Sequence, residues 1–155
     1  MNIDEFMTRD VRTCGPSDTL DRAARAMWER DCGVLPVVDA ERRVIGMITD
    51  RDVCMAAYLQ GLPLDRILVS SVASHAVAAA YVGESTDAAL AKMRQHRVKR
   101  LPVLDPEGKI AGVVSLGDLA RHHRGGWGRD AACGEDIART VEAIAEPRGH
   151  ADAAE

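Results

Sequence analysis

Leu35-Pro36-Val37-Val38-Asp39 recurs 66 residues later as Leu101-Pro102-Val103-Leu104-Asp105. The copy continues without a gap, since the same offset carries Gly46 to Gly112, Thr49 to Ser115 and Asp52 to Asp118. Upstream it carries Val11 to Val77, Thr19 to Ser85, Asp21 to Asp87, Ala23 to Ala89 and Met27 to Met93. Of the 18 positions from 35 to 52, seven are identical: Leu35, Pro36, Val37, Asp39, Glu41, Gly46 and Asp52. Such a repeat is a duplicated supersecondary unit, and it constrains the fold before any other signal is weighed. Two copies facing each other enclose a cleft with pseudo-twofold symmetry, so a site in one has a potential twin in the other.

Working outward, each copy reads as strand, helix, strand, strand, helix. In the first, Val11 to Thr13 is a short extended piece closed by Gly15-Pro16. Thr19 then stands as N-cap before Leu20, Ala23, Ala24 and Met27 at helical spacing, and Ser85 plays the same part before Ala89, Leu90 and Met93. Val34 to Val38 and Val44 to Ile48 are β-branched runs too short for helices. The polar turn Asp39-Ala40-Glu41-Arg42 joins them, echoed by Asp105-Pro106-Glu107-Gly108. Continuous apolar runs, rather than alternation, predict strands covered on both faces or packed between copies. A second helix runs from about Asp50 to Gln60, where Gly61-Leu62-Pro63 ends it. The fold class expected is therefore α/β (α+β), with two pseudo-symmetric β-α-β-β-α repeats packed sheet to sheet. The division expected is repeat 1 over 1–61, a linker with a short helical turn (Leu64 to Leu68) over 62–75, and repeat 2 over 76–124. Residues 125–155 hold the break Gly125-Gly126-Trp127-Gly128, a short helix over 135–146 with Ile137, Val141 and Ile144 on one face, and a flexible tail.

Composition narrows the function classes. The chain has 155 residues, 46% apolar but only 3% aromatic, so its core is built from Val, Leu, Ile, Ala and Met. A net charge of −4 argues against charge-driven binding to nucleic acid or a bilayer. No apolar run approaches the roughly 20 residues a membrane span needs, and no leader pattern opens the sequence. Cys14, Cys32, Cys54 and Cys133 show no Cys-x-x-Cys spacing, so reduced thiols in a cytoplasmic protein are expected. Cys32 and Cys54 fall at Val98 and Ala120 of the other copy, as core filler would. Met7, Met27, Met47, Met55 and Met93 read as core packing. His75, His96 and the pair His122-His123 have no metal spacing and read as helix-terminal residues. No catalytic triad or dyad is supported, and a phosphohydrolase using His122, His123 and Asp118 is disfavoured. The chain is not expected to be an enzyme.

The chemistry-bearing segment is Gly46-Met47-Ile48-Thr49-Asp50-Arg51-Asp52, matched by Gly112-Val113-Val114-Ser115-Leu116-Gly117-Asp118. An apolar strand delivers a hydroxyl to the first turn of a helix, with an aspartate three residues on. Free amides at that turn suit a phosphate, and the carboxylate suits a ribose diol. The alternative is a capping box, which stabilises a helix start without any ligand. Aspartate is a shorter partner for that box than Glu or Gln, yet both copies use it.

With these elements in hand, both copies resemble cystathionine-β-synthase (CBS) domains. Residues 1 to about 124 resemble a tandem CBS pair, the Bateman module. The resemblance rests on the Leu-Pro-Val-x-Asp strand, the glycine in the next strand, and the ending Gly, two apolar residues, Ser/Thr, two residues, Asp. It implies a stand-alone regulatory module that binds an adenosyl ligand between the copies: AMP, ADP or ATP, with NAD or S-adenosylmethionine as variants. It also implies a homodimer, an unidentified effector protein, and no catalytic cofactor or metal. Carried over by position, Asp52 and Asp118 hold ribose hydroxyls, with Thr49 and Ser115 near ribose or phosphate. Val11, Thr13, Val77, Ala79, Gly33, Val34, Lys99 and Arg100 line the adenine and phosphate ends. A ligand-independent dimeric adaptor is the other reading.

The copies differ in charge. Gly33-Val34 of the first corresponds to Lys99-Arg100 of the second, and Asp50-Arg51 to Leu116-Gly117. In resembling modules a basic residue ahead of this strand reaches the ligand held by the other copy. Thr49, Arg51 and Asp52 would then join Lys99 and Arg100 in one cation-rich site, leaving the site at Ser115 and Asp118 weaker. Trp28 replaces the other copy's Arg94, which predicts partial exposure at a dimer contact.

Overall fold

The Leu-Pro-Val-x-Asp stretch forms the first strand of a β-hairpin in each copy. A computed structural model describes residues 2–124 and 131–146. The first hairpin pairs β1 (Val34–Val38) with β2 (Val44–Thr49), the second β4 (Arg100–Leu104) with β5 (Ile110–Ser115). Both are antiparallel, and both shift register at the same place, Val37/Val38 and Val103/Leu104. The three central residues of β1 and of β4 are all buried, so these strands are covered on both faces, which is why they carry no alternation. The turns are closed by Asp39 and Asp105. Asp39 Oδ1 accepts the amides of Glu41 (3.0 Å) and Arg43 (2.8 Å), and Asp105 Oδ1 those of Glu107 and Lys109 (both 2.9 Å). The left-handed position of the turn is Gly108 (φ 78°) in one copy and Arg42 (φ 65°) in the other.

The helices are α1 (Leu20–Glu29), α2 (Asp50–Gln60), α3 (Thr86–His96), α4 (Leu116–Arg124) and α5 (Ala131–Ala145). The fold is thus mixed α+β, with two small sheets and five α-helices among the described residues. Three local expectations change. The strand expected at Val11 to Thr13 is reduced to one parallel bridge, Cys14 to Val37. Pairing stops there because Gly15 turns its amide to Asp18 Oδ2 (2.7 Å) and Pro16 has no amide. The equivalent strand of the second copy, β3 (Ala80–Tyr81), runs parallel to β4. Thr19 sits at N-cap, but its hydroxyl donates to Asp21 instead of accepting from the helix. The helical turn expected at Leu64 to Leu68 is a single 3-10 turn, Leu64–Arg66. The glycine-rich break with Trp127, and the tail beyond 146, lie outside the described residues.

The two copies exchange edges. Residues before the first copy dock on the second: Ile3 N donates to Glu84 O (3.0 Å), Thr8 bridges Val113, and Ile3 and Met7 enter the second core. Residues before the second copy dock on the first: Leu20 N donates to Ile67 O (2.9 Å), Ser74 bridges Met47, and Ile67, Val69 and Ala73 enter the first core. The connector at 62–75 is therefore core material for the first copy. The hairpin tips also meet, with Arg43 bridging Lys109.

The sequence leaves open what α5 packs on; the structure places it on the second copy. Ile137 and Ile144 pack against the second core. Arg94 Nη1 donates to Thr140 Oγ1 (3.0 Å) and Asp136 O (3.3 Å), and Arg97 pairs with Glu146 at 2.7 Å. The equivalent residues of the first copy are Trp28 and Asp31, neither a cation. That difference makes α5 specific for the second copy.

Two outcomes follow from this packing. A Cβ at Gly112 would lie 2.7 Å from Met7 Sδ and 2.9 Å from Thr8 O. Gly112→Ala should therefore cost about 1–3 kcal/mol, read by urea denaturation, because backbone must yield. Wild-type stability in that variant would mean that the docked strand at Thr8 is not held there. Burial, with the Asp18 charge adding to it, pushes the Cys14 thiol from its ordinary 9.0 up to about 12. At pH 8 an alkylating reagent should label exposed Cys54 and spare Cys14 until the protein unfolds. Because the folded state holds that proton more tightly, the contribution of Cys14 to stability is lost as pH rises above 9.0.

Candidate functional site

Each hairpin ends by delivering a hydroxyl to the start of a helix, and the geometry there is the same twice. Asp52 Oδ2 accepts the Thr49 amide (2.8 Å) and hydroxyl (2.7 Å), while Thr49 Oγ1 accepts the Asp52 amide (3.2 Å). Asp118 Oδ2 accepts the Ser115 amide (2.8 Å) and hydroxyl (2.6 Å), while Ser115 Oγ accepts the Asp118 amide (3.1 Å). Aspartate thus closes a full capping box in both copies, worth about 1 kcal/mol each. Its shortness does not prevent this, because the hydroxyl, amide and carboxylate share one oxygen. The box uses only Oδ2. Asp52 Oδ1 has no partner among the described residues, whereas Asp118 Oδ1 is taken by Arg121 one turn on.

Two cavities open beside these helix starts. One, of about 440 Å³, is bounded by Gly33, Asp50, Cys54, Trp28 and Asp31 of the first copy and by Arg100 of the second. The other, of about 490 Å³, is bounded by Lys99, Arg100, Ser115 and Arg121 on one side and α5 on the other. They are twins: Gly33, Asp50 and Cys54 of the first map to Lys99, Leu116 and Ala120 of the second by the 66-residue offset. Volumes of this size suit a small-molecule ligand. At Gly33 the absence of a Cβ leaves room for the Asp50 carboxylate, whose Oδ2 a Cβ there would meet at 2.7 Å. Backbone ties the same pair, with Asp50 N donating to Gly33 O (3.2 Å) as Leu116 N does to Lys99 O (2.9 Å).

The expected site residues separate into groups. Arg100 borders both cavities and so crosses between copies. Lys99 lines the cavity of its own Ser115 rather than joining Thr49. Thr49, Arg51 and Asp52 lie on the strand end and first turn that carry Asp50. Asp118 sits under Ser115, bound to Arg121. Val34 opens β1 beside Gly33. Val11, Thr13, Val77 and Ala79 are half-buried and border neither cavity, and the Ala79 carbonyl accepts Lys92 Nζ (3.0 Å). Sequence reasoning passed over Asp50, Asp31 and Arg121. Only Arg121 carried a legible signal, its place three residues after Asp118 on a helix.

The cations of the second copy also divide. Arg94 and Arg97 are bound to α5, while the side chains of Lys99 and Arg100 are exposed and have no hydrogen bond or ion pair among the described residues. Cys54 and Met55 are exposed rather than core filler, and Cys32 is half-buried against the first core. His122 packs its ring 4.9 Å from that of Phe6. Among the described residues no group of three or more His, Cys, Asp or Glu is gathered to hold a metal ion, and no helix is long and apolar enough to cross a membrane.

Comparison with known proteins places this architecture. The family model for the CBS domain matches twice, over residues 3–58 and 69–125. The "CBS domain-containing protein YhcV" of Bacillus subtilis is 36% identical over 120 residues, covering 77% of this chain and 83% of that one. The crystal structure of Hypoxic Response Protein I with two coordinated zinc ions superposes with a TM-score of 0.72 at 31% identity, covering 79% of this chain and 98% of that one. The CBS domain pair of protein MJ0100, in complex with 5'-methylthioadenosine and S-adenosyl-L-methionine, gives a TM-score of 0.74 at 21% identity, covering 81% and 97%. The chain belongs to the CBS-domain family and consists of two CBS repeats in tandem.

Proposed function

We propose that this chain is a regulatory sensor that binds an adenosyl ligand at the first cavity, with AMP, ADP or ATP ahead of NAD and S-adenosylmethionine. The observation that carries the reading is the Oδ1 of Asp52, without a partner among the described residues, on the helix turn whose Asp50 and Val53 border a cavity that Arg100 of the other copy also borders. A ribose diol needs a free carboxylate oxygen, and phosphate needs an unpaired guanidinium; both are present at the first copy's helix start. At the second copy Arg121 occupies the corresponding oxygen. The adenosyl complex of the MJ0100 pair supports the ligand class. Because Arg100 and Asp50 come from different copies, a ligand touching both would bias how the copies sit.

A homodimer completes the reading. Met55, Tyr58, Leu59 and Leu62 form an exposed stripe on and just beyond α2 at helical spacing, and Trp28 of α1 is 88% exposed. The counterpart of Trp28 in the second copy, Arg94, is bound to α5, so the uncovered face of the first copy around Trp28 is where a second copy docks. An effector protein would read the assembled state, in the cytoplasm.

A thermal-shift panel tests the nucleotide reading. At about 100 times its dissociation constant a ligand adds about 2.7 kcal/mol, a rise of roughly 5 °C or more for a chain of this size. Asp52→Asn should abolish that rise while lowering the apo transition by only a few degrees, and Asp118→Asn should retain it. A flat response to all five ligands would favour the ligand-independent adaptor. Loss in Asp118→Asn alone would invert the ranking of the two sites. Sedimentation velocity should give a dimer that Leu59→Glu converts to a monomer, and a monomeric wild type would remove the dimer.

A further inference from the structure

The twin cavities have diverged in chemistry. In the second, three cations (Lys99, Arg100 and Arg121) stand on one side, and among the described residues only Arg121 is paired, with Asp118. The opposite wall is apolar: Ile137, Val141 and Ile144 of α5, continued by Leu116 where the first copy has Asp50. Val141 is 49% exposed although it belongs to the apolar face of α5, so a hydrophobic side chain borders an open space beside unpaired charges. Both Asp118 oxygens are hydrogen-bonded, and among the described residues no carboxylate borders the cavity.

We propose that this cavity between β4, α4 and α5 binds an anion carried on an apolar body, an alkyl or acyl chain ending in a phosphate or carboxylate. Lys99 takes the head group, and Val141 with its neighbours covers the chain. Such a ligand must touch both α5 and the second repeat, so its binding would hold α5 in place. The inference goes beyond the nucleotide reading and does not depend on it.

Calorimetric titration of the whole chain tests it, using octyl phosphate and octanoate below their micelle-forming concentrations, with methyl phosphate and acetate as chainless controls. Octyl phosphate or octanoate should bind about tenfold or more tightly than its chainless control, since only the chain can bury apolar surface. Which of the two binds better identifies the head group. Val141→Asp and, at an exposed position tolerant of change, Lys99→Ala should each weaken binding about tenfold. Asp52→Asn should leave it unchanged, and AMP should not displace it. If both variants bind like wild type, if the chainless controls bind equally well, or if neither amphiphile binds, the proposal is overturned. One-for-one displacement by AMP overturns it too, by making this the nucleotide cavity. Binding of octyl phosphate with no response to any nucleotide would leave this inference standing and remove the nucleotide reading alone.

Discussion

The structure depends on the reciprocal exchange of edges between the two repeats. Thr8 against Val113 and Ser74 against Met47 are equivalent contacts, each made by the chain that leads into the other copy. Both seat on a glycine, since a Cβ at Gly46 or Gly112 would meet the docked carbonyl at 2.9 Å. Side chains from the exchanged segments are fully buried, with Ile3 in one core and Ile67 and Val69 in the other. Neither repeat therefore has a complete core of its own, and separating the copies would expose apolar surface on both sides. This constraint holds Arg100 of one copy at the cavity of the other.

From that shared frame the copies were free to specialise at their helix starts. The capping boxes are preserved in both because they hold the strand-to-helix turn, whatever else the carboxylate does. In the proposed reading, the ribose is held by the oxygen the cap does not use. Arg121 takes it in one copy, and it stays open in the other. The same logic applies to the flanking cavity. Gly33 makes room for the Asp50 carboxylate, while Lys99 and Leu116 put a cation and an apolar wall in its place. Small substitutions at equivalent positions thus give pockets of similar volume and different chemistry.

The outer helical faces diverge in the same way. Arg94 and Arg97 recruit α5 through Thr140, Asp136 and Glu146, whereas Trp28 and the stripe on α2 remain uncovered. The ion pairs there are partly exposed and weak individually, so α5 is held mainly by Ile137 and Ile144. Its attachment is selective more than strong.

The repeat, the hairpins, the helices and the hydroxyl-to-aspartate turn were legible in the amino-acid sequence alone. Each is encoded by residues close together in the chain: β-branched runs, turn residues, caps, and a duplication that presents every signal twice. The CBS family followed from those same residues. The sequence could not say which edge pairs with which core, because a docked segment such as Ile3 to Thr8 mixes apolar and charged residues without a period that names its partner. Nor could it say that Lys99 stays with Ser115 while Arg100 crosses over, or that Arg121 closes one carboxylate. Those outcomes depend on side-chain reach across contacts far apart in sequence, and tertiary structure alone decides them.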